Sequence, residues 1–277
     1  MEVISFGDHI EKGTYEVHST FKNLVNFTNK TSFLTIASPD KQYGPFTIII
    51  SDLFPIKINY VKINEINFEI NNYTFHIEKE KIWKSDYSFP NPVKLEELKN
   101  NICAMIKYLY NILPCDSLLF ILNDNNYCNT LKDNSFEKEL YLSLKQGIQN
   151  LLINKNNKEG ILMLKSKGKG LTPSGDDFIT GYLYALYVWE KINGKNTAVL
   201  RNNTYELACA NNVISNYQLK AAKNGWFNKS FMPILDCLLK NKKITNNTFK
   251  IILSYGSSSG IDILSGFLLT LKYLIVF

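Results

Sequence analysis

Residues 174–186 read SGDDFITGYLYAL, and residues 259–271 read SGIDILSGFLLTL. Aligned on Ser174 and Ser259, the two stretches share Ser, Gly, Asp, Gly and two Leu at the same offsets, and most other positions are similar. This is an internal repeat of one structural unit. A turn precedes each copy: Gly168-Lys169-Gly170-Leu171-Thr172-Pro173 before the first, Gly256-Ser257-Ser258 before the second. Thr172 or Ser174 suits the cap of the first helix, Pro173 suits its first turn, and Ser174 with Asp177 fits a Ser-x-x-Asp start signal. Asp177 and Gly181 are one helical turn apart, as are Asp262 and Gly266, so each pair shares a helix face. A glycine inside a helix costs about 1 kcal/mol against Ala. Its recurrence at the same offset implies two helices in close approach. The expectation is a pseudo-symmetric pair crossing near Gly181 and Gly266, with Ser174, Asp177, Ser259 and Asp262 lining one cleft.

Outward from the repeat, the apolar periodicity of the second part is helical. Val93–Leu113, Phe136–Ile153, Gly175–Ile192, Ala198–Ala222, Met232–Lys240, Thr245–Ser254 and Gly260–Ile275 all suit helices. The run Gly160–Lys165 is too short for periodicity to decide, but its correspondence with Phe249–Tyr255 tilts it toward helix. The polar tract Asn123–Asn134 reads as a loop. The first part is different. Phe33–Ala37, Phe46–Ser51, Ile56–Ile63, Ile66–Ile70 and Tyr73–Ile77 are short, β-branched and aromatic, and several alternate with period two. Turn residues separate them, as in Ser38-Pro39-Asp40 and Tyr43-Gly44-Pro45. The breaker Ser85-Asp86-Tyr87-Ser88-Phe89-Pro90-Asn91-Pro92 falls between the two patterns. The fold class is therefore α+β: an N-terminal antiparallel β sheet or small barrel over residues 1–88, then a mainly α-helical domain over residues 89–277 that carries both motifs.

The chain has 277 residues, 45% of them apolar, enough to bury a core without a disulfide or metal staple. Its five Cys (Cys103, Cys115, Cys128, Cys209 and Cys237) form no CxxC pair and are expected to be reduced thiols. Net charge is +6, yet Arg201 is the only Arg among 31 basic residues, and Asn occurs 33 times. Nucleic-acid binders favour Arg for its bidentate fork. A scattered Lys excess reads as a solvated surface, with no nucleic-acid partner. Met1–Gly13 does not read as a signal peptide. The apolar run Ile263–Phe277 is shorter than the roughly 20 residues of a membrane span. A cytoplasmic protein without a membrane partner is expected.

The chemistry-bearing residues cluster in the two motifs. Gly-rich turns entering helices suit a small anion, held by backbone N–H groups and the positive end of the helix dipole. The ligand-binding candidates are Lys169, Gly170, Thr172, Ser174 and Gly175 in the first copy and Ser258, Ser259 and Gly260 in the second. A Walker A loop is excluded, because Asp176 and Asp177 stand where it requires Lys and Ser/Thr. The acid–base candidates are Asp176, Asp177 and Asp262. The three aspartates are also the candidate ligands if Mg²⁺ is a cofactor. His18, beside Ser19 and Thr20, is the best-placed histidine for a catalytic role, although no G-x-S-x-G elbow accompanies it. Trp226 suits either ligand stacking or core packing. Three function classes remain open at this point: an enzyme component acting on a small anion, a non-catalytic binding or scaffolding subunit, and a metal-dependent enzyme for another small anionic substrate.

The chain resembles the AllH-type family. Gly168, Gly170, Leu171, Thr172, Pro173, Ser174, Gly175, Asp176, Asp177, Phe178 and Gly181 match its central motif. Gly256, Ser258, Ser259, Gly260, Asp262, Leu264 and Gly266 match its C-terminal motif, with Ser257 where that family commonly has His. His18-Ser19-Thr20-Phe21, Tyr43-Gly44-Pro45 and Ser215–Asn224 also resemble family patches. The resemblance implies a component of oxamate carbamoyltransferase in allantoin breakdown. Such a component works with partner subunits on carbamoyl transfer between carbamoyl phosphate and oxamate, with oxalurate as the carbamoylated form.

Overall fold

The computed structural model describes residues 2–41, 43–51, 58–114, 116–122, 131 and 135–276. The first residues of the strand expected at Ile56–Ile63, nearly all of the loop at Asn123–Asn134, and Cys115 and Cys128 lie outside the described residues. The chain divides into two compact units, one of Met1–Tyr87 with Trp226–Met232, the other of Ser88–Gly225 with Pro233–Phe277.

The first unit is a curled mixed sheet. Its strands are β1 (Val3–Gly7), β2 (Gly13–Phe21), β3 (Leu24–Thr28), β4 (Phe33–Ala37), β5 (Thr47–Ile50), β6 (Tyr60–Ile63), β7 (Asn67–Ile70), β8 (Tyr73–His76) and β9 (Ile82–Trp83). They run in the order β8-β7-β6-β2-β3-β4-β5-β1-β9. Pairing is antiparallel except for β4 with β5 and β1 with β9, which are parallel. One face buries Tyr15, Phe27, Leu34, Ile36, Ile48, Val61 and Phe68 in a common core. The segment Trp226–Met232 completes this unit. Trp226 stacks on His9 with ring centroids 3.6 Å apart, and the Phe227 amide donates to the Ser85 carbonyl at 2.9 Å. Trp226 is thus engaged in packing.

The second unit is helical: α1 (Leu95–Tyr110), α2 (Phe136–Leu152), α3 (Asn157–Leu164), α4 (Ser174–Asn193), α5 (Ala198–Ala208), α6 (Val213–Asn224), α7 (Met232–Leu239), α8 (Asn246–Leu253) and α9 (Ser259–Val276). Side chains cap several of them as sequence chemistry dictates. Ser135 accepts from the Lys138 amide at α2, Asn156 from Glu159 at α3, and Asn212 from Ile214 and Ser215 at α6. The single helix expected over Ala198–Ala222 is two helices. Asn212 caps the second, while the Asn216 side chain both donates to the Ala210 carbonyl at 2.7 Å and accepts from its amide at 3.0 Å. Those two bonds give the turn a partner set that a continuous helix would not.

The centre of the unit is the crossing of α4 and α9, and it has the anticipated geometry. A Cβ on Gly181 would lie 2.0 Å from the Ile263 carbonyl oxygen, and one on Gly266 would lie 2.1 Å from the Phe178 carbonyl oxygen. The duplication extends outward. A Cβ on Gly175 would lie 1.9 Å from the Leu164 carbonyl oxygen at the end of α3, and one on Gly260 would lie 1.7 Å from the Ile252 carbonyl oxygen near the end of α8. Each motif thus starts a long helix whose first turn rests on the end of the short helix before it. The run at 160–165 is helical, as its counterpart is. α9 is long and apolar enough to span a membrane, with mean hydropathy 1.5, but 67% of it is buried inside the protein, as in a core helix.

Candidate functional site

The two motifs meet at their N-terminal ends. Pro173, with extended backbone, is the residue that caps α4. It therefore lies just outside the first turn, and neither Thr172 nor Ser174 supplies a capping hydrogen bond. Their hydroxyls have other partners. The Thr172 hydroxyl donates to Asp177 Oδ2 at 3.1 Å and is hydrogen-bonded to the Ser259 hydroxyl at 2.8 Å. The Ser259 hydroxyl in turn faces the Asp177 carboxyl, while those of Ser174 and Ser258 face the Asp262 carboxyl. The serine of each motif therefore addresses the aspartate of the other. Backbone geometry repeats too, since the Asp177 amide donates to the Pro173 carbonyl at 3.0 Å and the Asp262 amide to the Ser258 carbonyl at 2.9 Å.

Both aspartates are buried, Asp177 at 0% exposure and Asp262 at 4%. Burial removes water from a carboxylate and favours its neutral form. Asp177 is held well above the ordinary carboxyl range, by desolvation first and also by the nearby charge of Asp262. Asp262 is raised to about 7, again chiefly by desolvation and further by Asp116. The facing hydroxyls pull both values back down without cancelling the shift. Two oxygens, Asp177 Oδ1 and Asp262 Oδ2, are buried without a hydrogen-bond partner. At neutral pH this arrangement holds a proton among its carboxyl oxygens, beside two helix N-termini.

Asp176 belongs to a different group. Its Oδ1 accepts from the Ser166 amide at 2.7 Å, and Ser215 and Lys165 lie beside it. Burial raises its pKa as well, against the pull of the Ser166 amide. Among the described residues, no three or more His, Cys, Asp or Glu are grouped so as to hold a metal ion, so Asp176, Asp177 and Asp262 are not the single cation cluster the sequence allowed. Lys169 is exposed, pairs with Glu137 at 3.5 Å and sits 5.3 Å from the centre of the Phe136 ring. Gly170 has φ +96° with open space where a side chain would be. His18 lies in the first unit, exposed, where the register of β2 on β3 shifts between Val17 and Ser19. Its Nδ1 is 3.2 Å from the Ser19 hydroxyl. The structure therefore brings together Thr172, Ser174, Asp177, Ser258, Ser259 and Asp262, and assigns Asp176, Lys169 and His18 to other surroundings.

The motifs alone did not reveal Tyr255 and Gln218. Tyr255 lies close enough to Asp177 for the carboxyl's charge to raise the phenol's pKa, although burial is the larger cause. The Gln218 amide donates to the Tyr255 hydroxyl at 2.7 Å. Ser215 and Gln218 are three residues apart on α6, and that spacing was the available signal.

Family models match both parts of the chain. Residues 166–271 match the family described as oxamate carbamoyltransferase subunit AllH, and residues 3–84 match the AllH family N-terminal domain. The chain belongs to the AllH family. No curated protein and no solved structure matches it. The AllH match opens at Ser166, whose amide holds Asp176, and closes at Leu271, so it takes in both motifs, all of α4 and most of α9. The AllH N-terminal match covers β1 to β9.

Proposed function

We propose that this chain is a component of oxamate carbamoyltransferase, working with partner subunits in carbamoyl transfer between carbamoyl phosphate and oxamate, and that the meeting point of α4 and α9 engages the small anionic ligand. The observation that carries the reading is the coincidence of the AllH match with the crossed Ser–Asp arrangement of both motifs. The chemistry is compatible. Carbamoyl phosphate and oxamate are small anions, and helix N-termini favour negative charge. Forming oxalurate joins the oxamate nitrogen to the carbamoyl carbon, releases phosphate with the electrons of the broken C–O bond, and frees one proton from that nitrogen. A carboxyl with a pKa near neutrality can take up that proton and return it in the reverse direction. Asp177 and Asp262 suit this role better than Asp176, whose carboxylate is committed to a backbone amide.

Thermal melting of the full chain tests the ligand half of the proposal. A ligand that binds only the folded state stabilises it by about 2.7 kcal/mol at a hundredfold excess over Kd. Carbamoyl phosphate or oxamate is expected to raise the melting temperature, with the partner subunits present if they complete the site. No shift with either ligand, with or without Mg²⁺ and partners, would refute it.

A further inference from the structure

The two unpartnered oxygens set a requirement that an anion does not meet. Leaving a buried polar atom without a partner costs about 1–3 kcal/mol, and here it happens twice, once in each copy of the motif. Asp177 Oδ1 and Asp262 Oδ2 need hydrogen-bond donors. The remaining oxygen of Asp177 is supplied by Thr172, and the Ser174 and Ser258 hydroxyls face Asp262. We infer that the free oxygens of Asp177 and Asp262 receive the two N–H bonds of a primary amide, so that the site selects ligands carrying a –C(=O)NH2 group and not merely a negative charge. The inference rests on the function proposed above, and narrows its ligand class. A primary amide is planar and presents two donors from one nitrogen, which matches one free acceptor from each half of the pseudo-symmetric pair. Oxamate has this group next to a carboxylate. Its carboxylate end is then left to the backbone N–H groups of the helix N-termini, which separates the anion-binding and amide-binding parts of one small site.

The test compares oxamate with pyruvate, which has the same carboxylate and adjacent carbonyl but a methyl group in place of –NH2. Calorimetry on the full chain, with partner subunits if they are needed for binding, should give oxamate at least about a tenfold advantage, the factor that 1.4 kcal/mol of differential binding provides. Asp177→Asn and Asp262→Asn, each checked for retained helical circular dichroism, should bring the two ligands close to parity. Equal binding of pyruvate and oxamate by the native chain would overturn the inference and leave the proposed function standing. Binding of neither would overturn both. Stabilisation by ammonium or Mg²⁺ alone equal to that by oxamate would assign the oxygens to a bare cation and would also overturn it.

Discussion

Arg201 shows what one residue does that the 30 lysines of this chain cannot. It is buried on α5, where its guanidinium donates to Thr197 Oγ1 and Glu190 Oε2, both at 3.0 Å, and to the Lys223 carbonyl, and it sits 5.1 Å from the centre of the Tyr187 ring. These partners come from α4, α5, α6 and the link before α5. A lysine ammonium has no planar fork to serve them together. Arg201→Lys is expected to cost about 1–3 kcal/mol, read as a lower melting temperature, and an unchanged melt would contradict the account. The carboxyls make a second residue-scale prediction. Asp262 has a folded pKa of about 7, above its unfolded value, so the folded state binds the extra proton between those two values. Stability from this group is then fully present at acid pH and is lost as pH rises from about 4 through about 7. Asp262→Asn should flatten the dependence of melting temperature on pH in that window. A parallel dependence in variant and native protein would contradict the assigned shift.

At the scale of elements, the α4–α9 crossing was readable because glycine inside a helix is disfavoured and occurs twice at one offset. Replacing Gly181 or Gly266 with Ala would gain about 1 kcal/mol of helix propensity. It would also drive a methyl group into a carbonyl of the opposite helix, at 2.0 Å and 2.1 Å respectively. Backbone cannot yield as a flexible side chain does, so both variants should be destabilised by several kcal/mol, on the order of an overpacked core. Gly170→Ala meets open space and should leave the fold intact apart from local strain at φ +96°. Equal melting temperatures for the three variants would refute the close crossing. Other elements were not readable, for physical reasons. β2 lacks an apolar alternation: of its residues only Tyr15 is buried, and a register shift at His18 breaks the period. β3 buries the polar Asn26, satisfied by Ser19 and Thr35 on its neighbours, so its pattern does not read as apolar. The break between α5 and α6 depends on Asn216 bonding back to Ala210, a contact that periodicity does not encode. In the site, the motif residues were legible because they repeat. The exchange of partners between Ser174 and Asp262, and between Ser259 and Asp177, follows only from the angle at which two helices cross.

For the whole molecule, two compact units each match their own AllH family model, and the family's description is that of a subunit. Both copies of the motif, with their buried carboxyls, lie in the second unit. The account therefore assigns the ligand chemistry to that unit and predicts that carbamoyl transfer depends on it. The most direct measurement is oxalurate formation from carbamoyl phosphate and oxamate by the reconstituted assembly, with this chain native, omitted, or carrying Asp177→Asn. The account predicts turnover with the native chain, none without it, and at least about a hundredfold loss with Asp177→Asn, the scale of removing a positioned acid–base group, while the subunits still co-purify. Undiminished turnover with the Asp177→Asn chain in an intact assembly would contradict it.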